Sequence, residues 1–294
     1  MKLLLVGSNG QVGFELQGTL GALGDVIPTD SSNCNLVDET AIRQMFRDHR
    51  PDIVINSAAY SNVDKAESEP ELAQAINAHA PSILAEEAKK LGAMMVHYST
   101  DYVFDGTQQT AYLESDVPNP INVYGLTKLA GEQAIAAICP RHLILRTSWV
   151  VGAHGSNFAK TILRLASERD TLSVVSDQIG VPTSASMLAN VTTHLIRQAI
   201  LTPSVFPYGL YHAVASGETN WYAYACHVIE RARKSGKPIR VSPDRVRAIK
   251  TFDYPTPAKR PTNSRLDTRL LRTTFGLHLP EWEKGVDHVL DQIL

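Results

Sequence analysis

The chain has 294 residues, 44% of them hydrophobic, with 28 Lys and Arg against 30 Asp and Glu and a net charge of −2. That is enough apolar material for a large core in one domain plus a smaller lobe, and the near-neutral balance offers no footprint for nucleic acid or an anionic membrane. No apolar run approaches the ~20 residues of a membrane span, the apolar start is too short for a signal peptide, and Cys34, Cys139 and Cys226 fit neither zinc spacing nor a disulfide framework, which suits a reducing cytoplasm.

Residues 2–6 form a short apolar run, read as a buried strand. Gly7-Ser8-Asn9-Gly10-Gln11-Val12-Gly13 follows and leads into a helical pattern through about Leu23. This is G-x-x-G-x-x-G rather than G-x-G-x-x-G, but the physics is shared: glycines permit a tight turn and close backbone approach, and a helix N-terminus faces a pyrophosphate. A second apolar stretch, Val26 to Thr29, ends in Asp30. An acid about twenty residues after the glycines is where a ribose hydroxyl is held. A glycine-rich turn with a surface aspartate is the plainer alternative.

The pattern then predicts a helix over 38–49, a strand over 52–56, a long helix over 71–91 and a strand from Ala93 to Tyr98. A loop runs to Asn122, a helix carries Tyr124 and Lys128 to about Ile138, and His142 to Arg146 is a fifth strand. This rhythm predicts an α/β fold, a Rossmann-like, doubly wound parallel sheet over residues 1–150. Ligands in such sheets sit beyond the carboxyl ends of the strands. The unusual residues fall there: Gly7–Gly13, Ser57–Lys65, Ser99–Asp105 and Ser148–Trp149.

Beyond residue 150 the rhythm weakens. Helices are expected at 156–168, 185–200 and 219–234, and a strand at Leu172–Val175. Residues 151–294 read as a smaller α/β substrate lobe, from which the chain is free to cross back. The proline-rich, basic segment 237–265, with Arg240, Arg245, Arg247, Lys250, Lys259 and Arg260, suits either a solvated loop or a partly mobile lobe closing over an anionic substrate. The 10 histidines show no H-x-x-x-H pattern, so each is expected to be structural or superficial and no metal site is expected.

Tyr124-Gly125-Leu126-Thr127-Lys128 places a phenol and an ammonium on one helix face. A lysine charge beside a phenol favours the phenolate and lowers its pKa, which suits a proton donor or acceptor near neutral pH. Thr100, at the end of the fourth strand, is positioned to hydrogen-bond a substrate carbonyl beside that phenol. Each residue has an ordinary alternative: Thr100 as a turn cap, Lys128 as a partner for Glu132, Tyr124 and Lys128 as a helix-surface pair.

The glycine turn, Tyr-x-x-x-Lys and the upstream threonine resemble the extended short-chain dehydrogenase/reductases. Within them, Asn56-Ser57-Ala58-Ala59-Tyr60, Val63-Asp64-Lys65-Ala66-Glu67, Ser99 to Gly106, Tyr124 to Lys128 and Arg260-Pro261-x-Asn263-Ser264-x-Leu266-Asp267 resemble the dTDP-4-dehydrorhamnose reductase family over nearly the whole chain. The resemblance implies reduction of the C4 ketone of dTDP-6-deoxy-L-lyxo-4-hexulose to dTDP-L-rhamnose by NADPH or NADH, in the cytoplasm. It makes Tyr124 the acid, Lys128 the ribose-holding residue and Thr100 their partner. Gly7, Asn9, Gly10, Gln11 and Val12 then cradle the pyrophosphate, Asp30 meets the adenosine ribose, and Asn35 and Leu36 lie near the adenine. Ala58, Ala59, Tyr60, Ser61 and Tyr98 line the cofactor channel. Val63, Thr100, Asp101, Tyr102, Trp149 and Arg260 face the sugar nucleotide, although Trp149 also suits a core position.

The nucleotide-sugar 4,6-dehydratases carry Thr-Asp-Glu where this chain has Thr100-Asp101-Tyr102, and a tyrosine cannot serve as their carboxylate base. Asp30 repels a 2′-phosphate while Ser31 and Ser32 can hydrogen-bond one, so use of both cofactors is expected. Some family members dimerise through an acid-bound metal. Glu15 matches one such position, but Ser186 and Gln292 stand where others have glutamate, so a monomer or weak homodimer without metal is expected. A nucleotide-sugar 4-epimerase and a non-catalytic regulatory relative remain the rival readings.

Overall fold

The computed structural model describes residues 1–294. In chain order its elements are β1 (Lys2–Val6), α1 (Gln11–Leu20), β2 (Asp25–Thr29), α2 (Glu39–His49), β3 (Ile53–Asn56), α3 (Val63–Ala66), α4 (Pro70–Gln74), a π-helical turn (Ala75–His79), α5 (Ala80–Leu91), β4 (Met94–Thr100), α6 (Val123–Ile138) and β5 (His142–Thr147). Then come β6 (Val150–Val151), α7 (Phe158–Glu168), β7 (Leu172–Val175), β8 (Ile179–Gly180), β9 (Thr183–Ser184), α8 (Ala185–Leu201), β10 (Gly209–His212), β11 (Thr219–Asn220), α9 (Trp221–Lys234), β12 (Val246–Ile249), α10 (Arg269–Phe275) and α11 (Trp282–Ile293).

Six strands form one sheet in the order β10-β5-β4-β3-β1-β2. Every neighbouring pair is parallel, so all the carboxyl ends lie along one edge. The chain steps outward from β1 to β2, then returns to place β3 on the other side of β1, and a crevice opens at that reversal. Strands buried on both faces must be apolar at every position, and β1 shows this. Leu3 and Leu5 join the core beneath α1 and α8, while Leu4 and Val6 join the core beneath α2 and α5.

Two features depart from the sequence reading. The sixth strand, β10, comes from beyond residue 200 and pairs with β5 in register Gly209↔Leu143 to His212↔Arg146; α8 on the same excursion packs against α1. The expected helix over 71–91 is interrupted by the π turn, because Asn77 is held there from three sides. Its amide receives Tyr60 N at 2.8 Å and donates to Tyr60 O at 3.1 Å and Thr127 Oγ1 at 3.2 Å. Its backbone presses on α6, where a Cβ on Gly131 would meet Asn77 O at 2.2 Å.

The segment 237–265 is neither a free loop nor wholly tied down. Val246–Ile249 pairs with β7, and Lys259 O accepts from Asn122 Nδ2 at 2.8 Å. Of the large hydrophobic residues on this stretch Phe252 is the most exposed, at 92%.

Candidate active site

A cavity of about 450 Å³ lies beyond the ends of β1, β3, β4 and β5. Its floor is the glycine turn. Gly7 has φ +85°, and a Cβ there would fall 2.6 Å from Ala58 N. A Cβ on Gly13 would fall 2.1 Å from Gly7 O, so α1 closes directly on the turn. Gly10 caps α1 without a side chain, and no acid occupies the first turn. The first N–H groups of the helix are therefore open to an anion. At the far end the Asp30 carboxylate accepts from Ser32 N at 2.7 Å, from the Ser32 hydroxyl and from the Asn9 amide. The Ser32 bonds hold its pKa below the usual carboxylate value, so the group stays anionic. Ser31, Asn35 and Leu36 complete this end, where the lining holds no Lys or Arg.

The other end is built by β4 and α6. Asn122 caps α6 by accepting from Gly125 N at 2.8 Å, and a Cβ on Gly125 would fall 2.1 Å from Tyr102 O. This seats the first helical turn on the loop after β4 and brings Tyr124 to the end of that strand. Thr100 Oγ1 accepts from Tyr102 N at 3.1 Å and donates to Asp101 Oδ1 at 3.0 Å. Lys128 is 1% exposed. Its Nζ donates to Tyr98 O at 2.6 Å and lies 3.1 Å from His97 Nε2. Burial pulls its pKa down to about 8 against a counteracting pull from Glu132.

That arrangement overturns one expectation. Lys128 was expected to lower the pKa of Tyr124, but the phenol is pushed up to about 12. Burial is the main cause, the Thr100 hydroxyl partly offsets it, and the Asp101 charge adds to it. The reason is geometric. The amino group is turned to the carbonyl and imidazole of β4, and Glu132, its expected alternative partner, is held by Arg146 at 2.7 and 2.9 Å.

Beyond Tyr124 lie Tyr102, edge-on to it at 5.8 Å, and Asp101, whose Oδ2 has no partner. Burial pushes the Asp101 carboxyl up to about 6. Arg260 Nη2 bonds Asp64 Oδ2 at 2.8 Å, next to Val63 at the start of α3, and the guanidinium also reaches the Tyr102 phenol. Trp149 takes a left-handed φ of +44° and stacks on Trp221 at 3.6 Å. Its indole so fills the space over Gly180 that a Cβ there would fall 2.7 Å from it.

Of the residues singled out for the cofactor, Gly7, Asn9, Gly10, Gln11, Val12, Asp30, Asn35, Leu36, Ala58, Ala59, Ser61, Tyr98, Tyr124 and Lys128 all line the cavity. Tyr60 does not: its hydroxyl turns away to Glu69 Oε2 at 2.6 Å. Tyr98 contributes differently from expectation, since its phenol bonds Thr192 inside the protein and its carbonyl serves Lys128. Sequence reasoning placed the segments beginning at Ser57 and Ser99 at the crevice without assigning those two serines a role, and it missed Val6, Cys34, Ile76, Thr147 and Val150 in the lining, and also Trp221 and His97. An indole near the start of a helix in the second lobe is a visible signal for Trp221; a lone histidine inside an apolar strand gives none.

The whole chain, residues 1–294, matches the family model described as RmlD substrate binding domain. It is 49% identical to the dTDP-4-dehydrorhamnose reductase of Escherichia coli K12, over 100% of this chain and 98% of that one. Among solved structures it is similar to the Clostridium acetobutylicum dTDP-4-dehydrorhamnose reductase, with TM-score 0.90, 38% identity and coverage of 100% and 99%. The Bacillus anthracis dTDP-4-dehydrorhamnose reductase in complex with NADP is similar at TM-score 0.89, 35% identity and 99% of each chain.

Proposed function

The chain belongs to the dTDP-4-dehydrorhamnose reductase family, and from that premise we propose that it reduces the C4 ketone of dTDP-4-dehydro-6-deoxy-L-mannose to dTDP-L-rhamnose with NADPH or NADH. The observation that carries the reading is the placement of the Tyr124 phenol and Lys128 at one end of a cleft whose floor is a glycine turn and an open helix N-terminus.

The cradle fits a dinucleotide, since the space beside Gly7 and Gly13 admits only bare backbone and the uncapped start of α1 suits a pyrophosphate. A bound reduced nicotinamide supplies the hydride to the ketone carbon. The chain does the rest. Gly10, Gln11 and Val12 hold the pyrophosphate, Asp30 the adenosine ribose and Lys128 the nicotinamide ribose. Tyr124 gives its proton to the ketone oxygen as that oxygen becomes an alkoxide, and the tyrosinate is reprotonated from solvent. Thr100 orients the same oxygen. Arg260, Tyr102 and the Trp149–Trp221 stack face the sugar nucleotide. Tyr102 places a phenol where a dehydratase needs a carboxylate, which favours reduction over loss of water.

The reaction suits the cytoplasm, and no helix is long and apolar enough to cross a membrane. With Ser186 and Gln292 in place of acids, a monomer or weak homodimer is the proposed state.

The test is a coupled assay with the dTDP-4-keto sugar and reduced cofactor, the UDP analogue beside it, on the wild type and Tyr124→Phe. The substitution keeps the ring packed on Tyr102 and removes only the acid. The expected result is turnover of the dTDP sugar and a fall in kcat of ~10²–10⁴ in the variant, with cofactor affinity retained. A variant that turns over within tenfold of wild type removes Tyr124 from the mechanism.

A further inference from the structure

The glycine turn is held from a distant part of the chain. Residues 152–157, which join β6 to α7, bond the turn across 145 and 146 residues of sequence. Their path is set by their own contacts. Lys160 of α7 donates from Nζ to Gly155 O at 2.8 Å and also to Ala153 O, and Gly155 turns the chain with a left-handed φ of +73°. A Cβ on Gly155 would fall 3.2 Å from Gln11 Cγ, so the segment rests on the first residue of α1.

Two of its side chains reach the turn. Asn157 caps α7 through Oδ1, which accepts from Lys160 N at 3.1 Å. A backbone N–H only donates, so the amide is oriented and Nδ2 is the donor. It serves Gly152 O at 2.8 Å and Gln11 Oε1 at 2.9 Å. His154 Nε2 lies 3.0 Å from Asn9 O. A carbonyl only accepts, so Nε2 carries a proton. The imidazole is steadied by Phe14 of α1, on which it stacks at 4.4 Å with the planes 4° apart. The two donors thus fall on Asn9 and Gln11, either side of Gly10, where the open N–H groups of α1 begin.

Neither His154 nor Asn157 lines the cleft. The bond to His154 therefore draws the Asn9 carbonyl to a side chain outside it, and a carbonyl oxygen turned inward would repel a pyrophosphate. The Gln11 amide is committed as well, with Nε2 facing Val150 O at 3.4 Å. What Gln11 offers an anion is its backbone N–H.

We propose that His154 and Asn157 are positioning residues of the cofactor cradle, acting through Asn9 and Gln11 to keep N–H groups rather than carbonyl oxygens toward a pyrophosphate. The remaining supports of the turn lie close by in sequence or on β2. Gly10 N donates to Gly7 O, Gly7 N and Ser8 N donate to Thr29 O, and the Asn9 amide donates to Asp30. Asp30 is the group assigned to the adenosine ribose, so a bound dinucleotide competes for the partner of the Asn9 amide and leaves the His154 bond untouched. The proposal rests on the functional reading above in one respect, that the cleft takes a dinucleotide.

The test measures binding without turnover. Dissociation constants are determined on the whole chain for NADPH, for ADP-ribose, which carries the pyrophosphate, and for adenosine, which does not. His154→Phe keeps a ring to stack on Phe14 and removes the donor. Asn157→Ser keeps a helix cap and is too short to reach Gln11. Affinity falls with the fraction of free protein whose turn is formed, and one hydrogen bond changes such a fraction by about two- to tenfold. Each variant should weaken NADPH and ADP-ribose more than about twofold, and the two together about tenfold, with adenosine within about twofold of wild type. His154→Gln, whose amide offers an N–H to Asn9 O, should bind within about twofold of wild type. The kinetic counterpart is a raised KM for NADPH at an unchanged kcat. An ADP-ribose constant that stays within twofold in the paired variant overturns the proposal. So does an equal loss for adenosine, which marks general loosening, or a His154→Gln protein as weak as His154→Phe. If the paired variant does not fold, His154→Phe, a change at a part-exposed ring, decides alone. A wild type that binds neither NADPH nor ADP-ribose overturns the functional reading and this proposal together, whereas unmoved variants of a wild type that binds both overturn this proposal only.

Discussion

Asp101 gives the sharpest handle on how the site is maintained. The residue is 3% exposed, Oδ1 accepts from Thr100, and the Ser264 hydroxyl near the carboxylate only partly offsets its burial. Burial lifts its pKa to about 6 in the folded protein, against ~3.9 in an unfolded chain. The folded state therefore binds this proton more tightly than the unfolded state. The stability it contributes is fully present below about pH 4 and is lost as pH rises through about 6. Two pH units at 1.36 kcal/mol each make a burden of about 3 kcal/mol at neutral pH. Asp101→Asn is neutral throughout. Its amide N–H₂ takes the position of Oδ2, near the Ser264 hydroxyl, and whatever offset that leaves does not change with pH. The stability of the variant relative to wild type should thus rise by about 2 kcal/mol between pH 4.5 and 7.5. For 294 residues the unfolding entropy is about 0.6 kcal/mol/K, so this is about 3 °C in Tm. Paired thermal melts across that range measure it, all other titrations cancelling. A difference that stays flat within about 0.5 kcal/mol refutes the buried-carboxylate argument.

Three further outcomes follow from the geometry. Glu132 and Arg146 are 3% exposed each and bonded twice, so Glu132→Gln should cost about 3–5 kcal/mol by stranding the guanidinium, while Glu132→Leu with Arg146→Met should recover most of it; denaturant midpoints decide, and a double variant worse than either single one sinks the account. Gly13→Ala drives a Cβ to 2.1 Å from Gly7 O, so the turn must open; the dissociation constant for NADPH, read by fluorescence, should weaken at least tenfold, ~1.4 kcal/mol, and an unchanged value would show the turn to be pliant. Asp30 stays anionic at an adenosine end without Lys or Arg in its lining, yet a relative is known with NADP; kcat/KM for NADH and NADPH should agree within about a hundredfold, ~2.7 kcal/mol, and a wider gap excludes use of both.

What the sequence made legible was whatever periodicity or spacing encodes. Each strand of the first half reads as an apolar run, and parallel strands send their carboxyl ends to one edge, so the place of the site followed. Tyr124 and Lys128 share a helix face because four residues make about one turn. Spacing does not say which strand lies opposite that face, however, and here β4 meets Lys128 with a carbonyl and an imidazole. The π turn at Ala75–His79 was hidden for a similar reason. Its cause is Asn77 meeting Tyr60 and Thr127, contacts 17 and 50 residues away, while the local sequence is simply alanine-rich. The strand β10 is four residues long and is fixed by pairing with β5, which no local pattern announces.

The same long-range contacts decide which form of the phenol the free protein holds. A phenol at the end of β4 can serve as acid or base, and the sequence alone left that open. A cation beside it would favour phenolate. Burial instead pushes the phenol up, and the charge of Asp101 adds to burial in keeping Tyr124 protonated. Reduction of a ketone consumes a proton at the oxygen for each hydride taken up by the carbon. On the proposed mechanism Tyr124 supplies that proton, and burial holds the phenol in the form the step needs before either substrate binds. In the reverse direction the same enzyme must first strip a proton from a group titrating near 12, so alcohol oxidation should accelerate steeply with pH while ketone reduction at neutral pH does not wait on Tyr124. Initial rates in both directions from pH 6 to 10 test this; parallel profiles would mean that the phenol's proton is not what orients the reaction.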